Sequence, residues 1–272
     1  MNRRLTCRLL GTGSSGGVPR IDGNWGVCDP NEPKNRRRRC SILLSAYKIG
    51  SDDAATRVLI DTSPDLREQL LDAGVPDLDA LVFTHDHADQ THGIDDIRAL
   101  VYRRRKPLLT YLDVPTSDSL VPKFNYVFEG AGDYPPILER QPYIEPLAPF
   151  TLTGAGGDID LLPLEQEHGR IRSLGFRAGS LAYCNDLNAL PEQSLAALMD
   201  LDVFIVDALR YTPHPSHANV DQALDWVKTL KPKRTILTNL HVDLDYQTLL
   251  DELPEGVEPG YDGMEITLDI AN

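Results

Sequence analysis

An apolar run, Leu81-Val82-Phe83, gives way at Thr84 to His85-Asp86-His87-Ala88-Asp89-Gln90-Thr91-His92, so three of the chain's seven histidines fall within eight residues. In an extended segment side chains alternate, which turns His85 and His87 to the same side and lets both imidazoles reach one cation. Asp89 can add a carboxylate oxygen to that ion or to a neighbour. Imidazole with carboxylate suits zinc, manganese or iron. A lone His-x-His would read as a polar, solvated loop; this density of ligand types at a strand end favours metal binding. No serine or cysteine sits in a recognisable nucleophile turn, and Cys184, beside Asn185 and Asp186, reads as strand packing. The attacking group is then expected to be a water whose pKa a bound cation brings down to about 7.

Such residues need rigid elements behind them. Short β-branched or leucine-rich runs predict strands at 5–10, 41–47, 57–61, 80–84, 108–112, 158–162, 173–177, 180–184, 203–207, 235–238 and 264–268. Several early runs follow one another with no helix between them, which implies antiparallel or mixed sheet. Helices alternate with strands in the second half. Ser63-Pro64 offers an N-cap and a first-turn proline to a helix that Gly74 can end. Ile94, Ile97 and Val101 make a second helical stripe, and Asn219 can cap a third helix with Val220, Ala223, Leu224 and Val227 on one face. Many strands, few helices and no linker predict one layered α/β domain.

Gly11, Gly13 and Gly16 spell G-x-G-x-x-G after a strand. Gly17, Val18 and Pro19 stand where a helix should begin, and no prompt crossover with a distal acidic residue follows, so a dinucleotide site is not expected. The loop's N–H groups can cradle a phosphate or simply make a turn. A net charge of -14 argues against a protein that coats nucleic acid. Cysteines at 7, 28, 40 and 184 are too few and too scattered for a disulfide scaffold. Arg8 interrupts the apolar stretch after the basic start, which argues against a signal peptide. No apolar run approaches the ~20 residues of a membrane helix. A soluble cytoplasmic protein is expected.

With the motifs in hand, the sequence resembles the metallo-β-lactamase superfamily. The signature His-x-His-x-Asp-His after a strand matches at His85, His87 and Asp89. Asp61 in Leu-Ile-Asp-Thr-Ser-Pro-Asp resembles the acidic residue that supports the metal loop from behind. His168 resembles the third metal histidine, Asp186 the carboxylate that bridges two metals, and His241 the last metal histidine. These motifs run in order from residue 61 to 241. The opening LLGTGSSGGVPR and the later CDPNEPKNRRRRCS resemble a narrower branch, the cyclic-phosphodiesterase-like proteins related to the phosphonate-pathway phosphodiesterase. The resemblance implies a four-layer αββα sandwich in one domain over residues 1–272. It also implies two divalent ions, zinc or manganese, on His85, His87, Asp89, His168, Asp186 and His241, with Asp89 counted among the catalytic groups too.

Two departures matter. Gln90 stands where the superfamily has histidine, and an amide oxygen binds zinc less well than imidazole and suits manganese better. The second ion is therefore expected to be weakly held. His92 is the nearest substitute, but Gly93 suggests that His92 ends the loop and caps the next helix. Members of the branch often carry several cysteines near the Asp-Pro motif for a structural zinc. Cys28 and Cys40 are too few for four ligands, so no such zinc is expected.

Arg36–Arg39 and Arg103–Lys106 are basic runs in an acidic chain. Most of these side chains read as solvated surface, yet one arginine near the metals suffices to hold a phosphate in bidentate fashion. Arg39 is the candidate, with Gly13 and Ser14 of the glycine turn. His217, in Tyr-Thr-Pro-His-Pro-Ser-His, matches the place where phosphodiesterases of the superfamily keep a histidine that protonates the leaving oxygen. Capping the following helix is its alternative, and His214 reads as a loop residue. The expected function is a phosphodiesterase of small, cyclic or linear, nucleotide or sugar phosphodiesters. A thioester or lactone hydrolase of the same fold and a non-catalytic metal-binding protein are the alternatives. Expected partners are the small substrate and, at most, a second copy in a homodimer, with no stable nucleic-acid complex and no membrane.

Overall fold

The computed structural model describes residues 3–48 and 54–270. Its strands are β1 (Arg3–Gly11), β2 (Ser41–Lys48), β3 (Ala55–Ile60), β4 (Ala80–Val82), β5 (Leu108–Tyr111), β6 (Leu138–Arg140) and β7 (Phe150–Leu152), then β8 (Ile159–His168), β9 (Ile171–Ala178), β10 (Leu181–Cys184), β11 (Val203–Asp207), β12 (Arg234–Thr238), β13 (Val257–Pro259) and β14 (Glu265–Ile270). Among the described residues they form two seven-stranded sheets, ordered β14-β1-β2-β3-β4-β5-β6 and β13-β12-β11-β10-β9-β8-β7. Both are mixed. In the first, β1 with β14 and β2 with β3 run antiparallel, while β3 to β6 are parallel. In the second, β8, β9 and β10 run antiparallel and β10 to β13 are parallel. Helices enter where the pairing turns parallel, because a parallel pair needs a crossover.

The chain divides into two compact units. One takes the described residues of Met1–Leu10, Ser41–Asp160 and Glu265–Asn272; the other takes Gly11–Cys40 and Leu161–Met264. In the first unit, Leu59 and Leu81 of the sheet and Phe83 just beyond β4 belong to one apolar cluster with Leu66, Ile94, Ile97, Val101 and Leu120. The predicted stripe of Ile94, Ile97 and Val101 is thus buried, on a 3-10 turn (Ile94–Ile97) that runs into a helix (Arg98–Arg104). In the second unit, β11 reads Val-Phe-Ile-Val-Asp with every residue buried, the continuous apolar run of a doubly covered parallel strand. The helix Val220–Leu230 starts at Asn219, whose side chain accepts from Gln222 N while Gln222 returns a bond to Asn219 N. That reciprocal pair satisfies two amide protons that a helix start leaves over.

Other boundaries move. The helix expected from Ser63-Pro64 begins at Leu66, because Ser63 O accepts Leu66 N in a preceding turn and the Ser63 hydroxyl bonds Gln69. Gly74 ends it as expected, at φ +62°. β6, β7 and β13 have three residues each and show too little alternation to be read in advance. The helices Val114–Lys123, Asn125–Glu129, Glu192–Ala196 and Tyr246–Glu252 were also not expected. They are short, and prolines interrupt the pattern of the first.

The glycine-rich turn has a steric cause. A Cβ on Gly13 would lie 2.9 Å from Arg37 Cβ and 3.0 Å from its carbonyl oxygen, so only glycine lets the two segments pass. Gly13 bridges both Arg39 and Leu240 in short parallel pairings. The next element after it is a 3-10 turn, Pro33–Asn35.

Candidate functional site

Chemistry gathers at the carboxyl ends of parallel strands in each unit, the end where α/β sheets place their ligands. In the first unit Asp61 follows β3 directly and His85 lies three residues beyond β4. Asp61 adopts φ +65°, a left-handed conformation that aspartate tolerates better than most residues. This turn aims its carboxylate back at the metal loop: Thr84 N donates to Asp61 Oδ1 at 2.8 Å and Thr84 Oγ1 donates to Oδ2 at 2.8 Å. The same hydroxyl oxygen lies 3.0 Å from His85 Nδ1. With Asp61 ionised, Thr84 gives its proton to that carboxylate and can only accept from His85, which then carries its proton on Nδ1 and its lone pair on Nε2. A ligating imidazole needs that arrangement. Burial pushes the Asp61 carboxyl up to about 8, against the two Thr84 bonds that pull it down.

His87 is exposed, and its ring meets the His85 ring edge-on at 4.5 Å between centroids. Asp86, the residue between them, points elsewhere, as strand alternation requires. It binds Ser119 and Lys123. Burial raises its pKa, but those partners and His87 outweigh it and hold the carboxyl below its ordinary range. Asp89 and Gln90 lie in a one-turn helix (Ala88–Thr91), where the Gln90 amide donates to Asp89 Oδ2 at 3.3 Å. Gln90 therefore orients a candidate ligand. His92 is the C-cap of that turn, with its ring 5.7 Å from Phe124, and does not cap the helix that follows. Gly93 holds the next N-cap because Ser63 O would lie 2.0 Å from any Cβ there.

In the second unit His168, Asp186 and His217 each offer a ligand atom, all within 4.8 Å of one another. His168 ends β8, and its Nδ1 lies 2.6 Å from Ser216 O. A carbonyl only accepts, so Nδ1 holds the proton and Nε2 the lone pair. Asp186 follows β10 at φ +54°. Asn185 Nδ2 donates to its Oδ2 at 2.7 Å, and Asn239 Nδ2 to its Oδ1 at 3.2 Å. Ser173 Oγ holds its backbone carbonyl at 2.6 Å and is in turn bound by Gln166. His217 Nδ1 lies 2.8 Å from Oδ2 of Asp207, the fully buried last residue of β11. Burial pushes the Asp207 carboxyl up, while His217, Leu187 N and Asn239 draw it down. The His168 lone pair and the Asp186 carboxylate fit a divalent cation, and His217 stands within ligand distance beside them.

His241 lies outside that group. Its Nε2 meets the Arg20 guanidinium and its Nδ1 lies 2.9 Å from Asp243 Oδ2. Arg20 gets there across Gly16, where a Cβ would sit 2.3 Å from its Nη1. The expected phosphate contacts at the glycine turn change role. Gly13 N donates to Arg38 O, Ser14 N to Leu240 O and Gly17 N to Ser14 O, so these amides close the loop and hold no proton for a phosphate. Arg39 lies beside Gly17. His214 accepts from Ser216 N and packs 5.1 Å from the His217 ring. Helix capping drops out for His217, since Asn219 does it. Cys28 lies against Val242 O and Leu244 O, and Cys40 against Gly13 O and Thr238.

Sequence reading passed over Asp207, Asn239 and Arg20. The first two had a signal. Each comes at the end of an apolar strand, as Asp61 and Asp186 do, and Asn239 shares their positive φ (+62°). Side chains held in a sparsely populated backbone region cluster at functional sites.

Comparison with known proteins agrees with this frame. The beta-lactamase superfamily domain matches residues 56–239. A solved structure of a diphosphatase from the PhnP family is 32% identical, covers 100% of both chains and superposes with a TM-score of 0.86. Zn(2+)-bound PqqB from Methylobacterium extorquens shares the fold at 17% identity, a TM-score of 0.70, and 96% and 99% coverage. An octanoyltransferase of Porphyromonas gingivalis is 34% identical over 97% of this chain, which spans 52% of that protein. The chain thus covers about half the length of the curated relative it matches.

Proposed function

The chain belongs to the beta-lactamase superfamily, a fold of metal-dependent hydrolases, and on that premise we propose that it hydrolyses small phosphodiesters of nucleotides or sugars. The observation that carries the reading is His217 pinned by buried Asp207 at 2.8 Å beside the donors of His168 and Asp186. A divalent ion in that donor set lowers the pKa of a water and neutralises charge on phosphoryl oxygens. His168 Nε2 and an Asp186 carboxylate oxygen are the atoms to hold it. His217, with Nδ1 directed at Asp207, keeps Nε2 to deliver a proton to the departing oxygen. Asp207 fixes the imidazole's orientation and stabilises its charged form. Asn239 ties Asp186 and Asp207 together through one amide, at 3.2 and 3.1 Å. Arg20, whose guanidinium lies against the His241 ring, is the candidate to grip a phosphate in bidentate fashion.

By family resemblance, His85, His87, Asp89 and His241 are further ligands, Asp61 supports the first pair, and two ions, zinc or manganese, are bound. Gln90 makes one of them the weaker. The similarity to a diphosphatase over the whole chain supports a phosphate substrate. The partner is a small molecule rather than a nucleic acid. Among the described residues no helix is long and apolar enough to cross a membrane, and we place the protein in the cytoplasm.

The octanoyltransferase relative favours a second reading, a thioester hydrolase. Acyl transfer through a covalent intermediate needs an activated nucleophile. All four thiols are buried, and burial pushes each of them up in pKa. That disfavours a cysteine acyl-enzyme in this chain. Bis(p-nitrophenyl) phosphate, a nucleoside alkyl phosphodiester and an octanoyl thioester, offered to metal-replete protein, separate the readings. Turnover of both phosphodiesters with an inert thioester is the expected result; the reverse pattern overturns it.

A further inference from the structure

Arg37 is the largest fully buried side chain among the described residues, at 2% exposure. Among the described residues no carboxylate forms an ion pair with it. Its Nη1 donates to Leu244 O at 2.7 Å and to His241 O at 3.3 Å, and its Nη2 donates to Asn35 Oδ1 at 3.2 Å. Cys28 Sγ lies 3.9 Å from Nη1. Desolvation draws its pKa down, against Cys28, Asp262 and Asp245. A buried charge held only by neutral acceptors is costly, and an apolar side chain of similar volume is often neutral or better for stability. The groups it holds suggest why a guanidinium sits there.

Nη1 spans both ends of a tight turn, in which Leu244 N also returns to His241 O at 3.1 Å. That turn carries His241 and Asp243, whose carboxylate meets His241 Nδ1. Leu240, one residue upstream, is fixed separately by Thr12 O and Ser14 N. Asn35 extends the fork's reach, since its Oδ1 also accepts Tyr246 N at 2.7 Å. Arg37 is anchored in its turn by a reciprocal backbone pair with Val18, at 2.9 Å in both directions. The His241 turn is therefore held along its backbone by Leu209 O, Val27 N and the Cys28 thiol, while the Arg37 guanidinium is the group that ties its two end carbonyls together.

We propose that Arg37 is a positioning residue that closes the turn His241–Leu244 and so sets the place of the His241 imidazole for a bound cation. The proposal rests on the reading of His241 as a metal ligand. Lysine cannot replace it: an ammonium is a point donor on a flexible stem and cannot span Asn35 and the two turn carbonyls at once.

The test is a double-mutant cycle on metal affinity in the full chain. Wild type, Arg37→Lys, His241→Ala and the double variant are stripped with chelator and titrated with Mn²⁺ by calorimetry, and the midpoint of thermal unfolding of each metal-free protein is measured. The expected result is that Arg37→Lys weakens, at least tenfold, the Mn²⁺ binding that His241→Ala also weakens, with no further loss in the double variant. Groups acting through one another give such non-additivity. Should Arg37→Lys not fold, Arg37→Gln, which keeps an amide donor, takes its place in the cycle. A lowered unfolding midpoint with unchanged Mn²⁺ affinity would make Arg37 merely structural and overturn the proposal. Equal, additive losses in both backgrounds overturn it too, as does a His241→Ala protein that binds Mn²⁺ normally. Substrate turnover plays no part in these readouts, so a wrong phosphodiester assignment leaves the result standing.

Discussion

Replacing His217 by alanine should slow hydrolysis of an alkyl or ribose phosphodiester by ~10²–10⁴-fold and barely change that of a p-nitrophenyl ester. The contrast comes from the leaving group. An alkoxide needs a proton as it departs, whereas p-nitrophenolate leaves without one. That span is roughly 3 to 5.5 kcal/mol of barrier. A lost helix cap, in contrast, costs only about 1 kcal/mol. Asn219 supplies the cap here through its 2.9 Å bond to Gln222 N, so the helix Val220–Leu230 should keep its stability in the variant. His217 also lies within ligand distance of His168 and Asp186, and metal must be counted alongside the rates. Asp207→Asn gives an independent arm. It keeps the shape of the 2.8 Å partner but removes the charge that favours imidazolium. It should therefore lower the alkyl-ester rate more than the aryl-ester rate, by less than His217→Ala does. Both esters are assayed on wild type and both variants, with metal content by elemental analysis. Equal losses on the two esters would remove His217 from proton transfer. A lost ion in His217→Ala would make it a ligand instead.

Alanine at His85 or His87 should abolish metal retention and turnover, and His85→Ala should also lower stability because it leaves the Thr84 hydroxyl without its buried imidazole. A chelator-stripped His87→Ala protein with full activity would contradict the metal mechanism. Gln90→His should tighten the second ion, zinc more than manganese; calorimetry showing two tight sites unchanged by the swap would mean that Gln90 is not at the second ion. Asp262 offers a pH signature. Burial pushes its carboxyl up to about 7, although Thr12 and Arg38 amides donate to it. Between the ordinary carboxylate pKa and about 7 the folded state binds a proton that the unfolded state does not, so stability falls as pH rises through this window, by at most about 4 kcal/mol. Urea midpoints from pH 5 to 8 should show that slope in wild type and a flatter, lower profile in Asp262→Asn; identical slopes would clear Asp262.

How much was legible in advance follows the range over which each feature is determined. His85, His87 and Asp89 could be read because ligand spacing within one extended segment is a local property, and β11 because a doubly buried parallel strand must be apolar throughout. Asn219 could be read as a cap for the same reason. The three-residue strands β6, β7 and β13 could not, since pairing with a neighbour defines them and they have no period of their own; β4, equally short, was legible from its buried apolar run.

The sequence by itself determined the family, the order of the metal motifs and the alternation of strand and ligand, since each is written in contiguous residues. Tertiary structure decided which partners those ligands have. Asp207 reaches His217 and Asn239 reaches Asp186 only because β10, β11 and β12 lie side by side and end together. The same holds for Arg37, whose fork closes a turn 204 residues further along the chain. The amides of Gly13 and Ser14 looked available for phosphate until folding brought Arg38 and Leu240 against them. A side chain's identity fixes what it can donate or accept, but its proton's destination depends on neighbours that only the folded chain supplies.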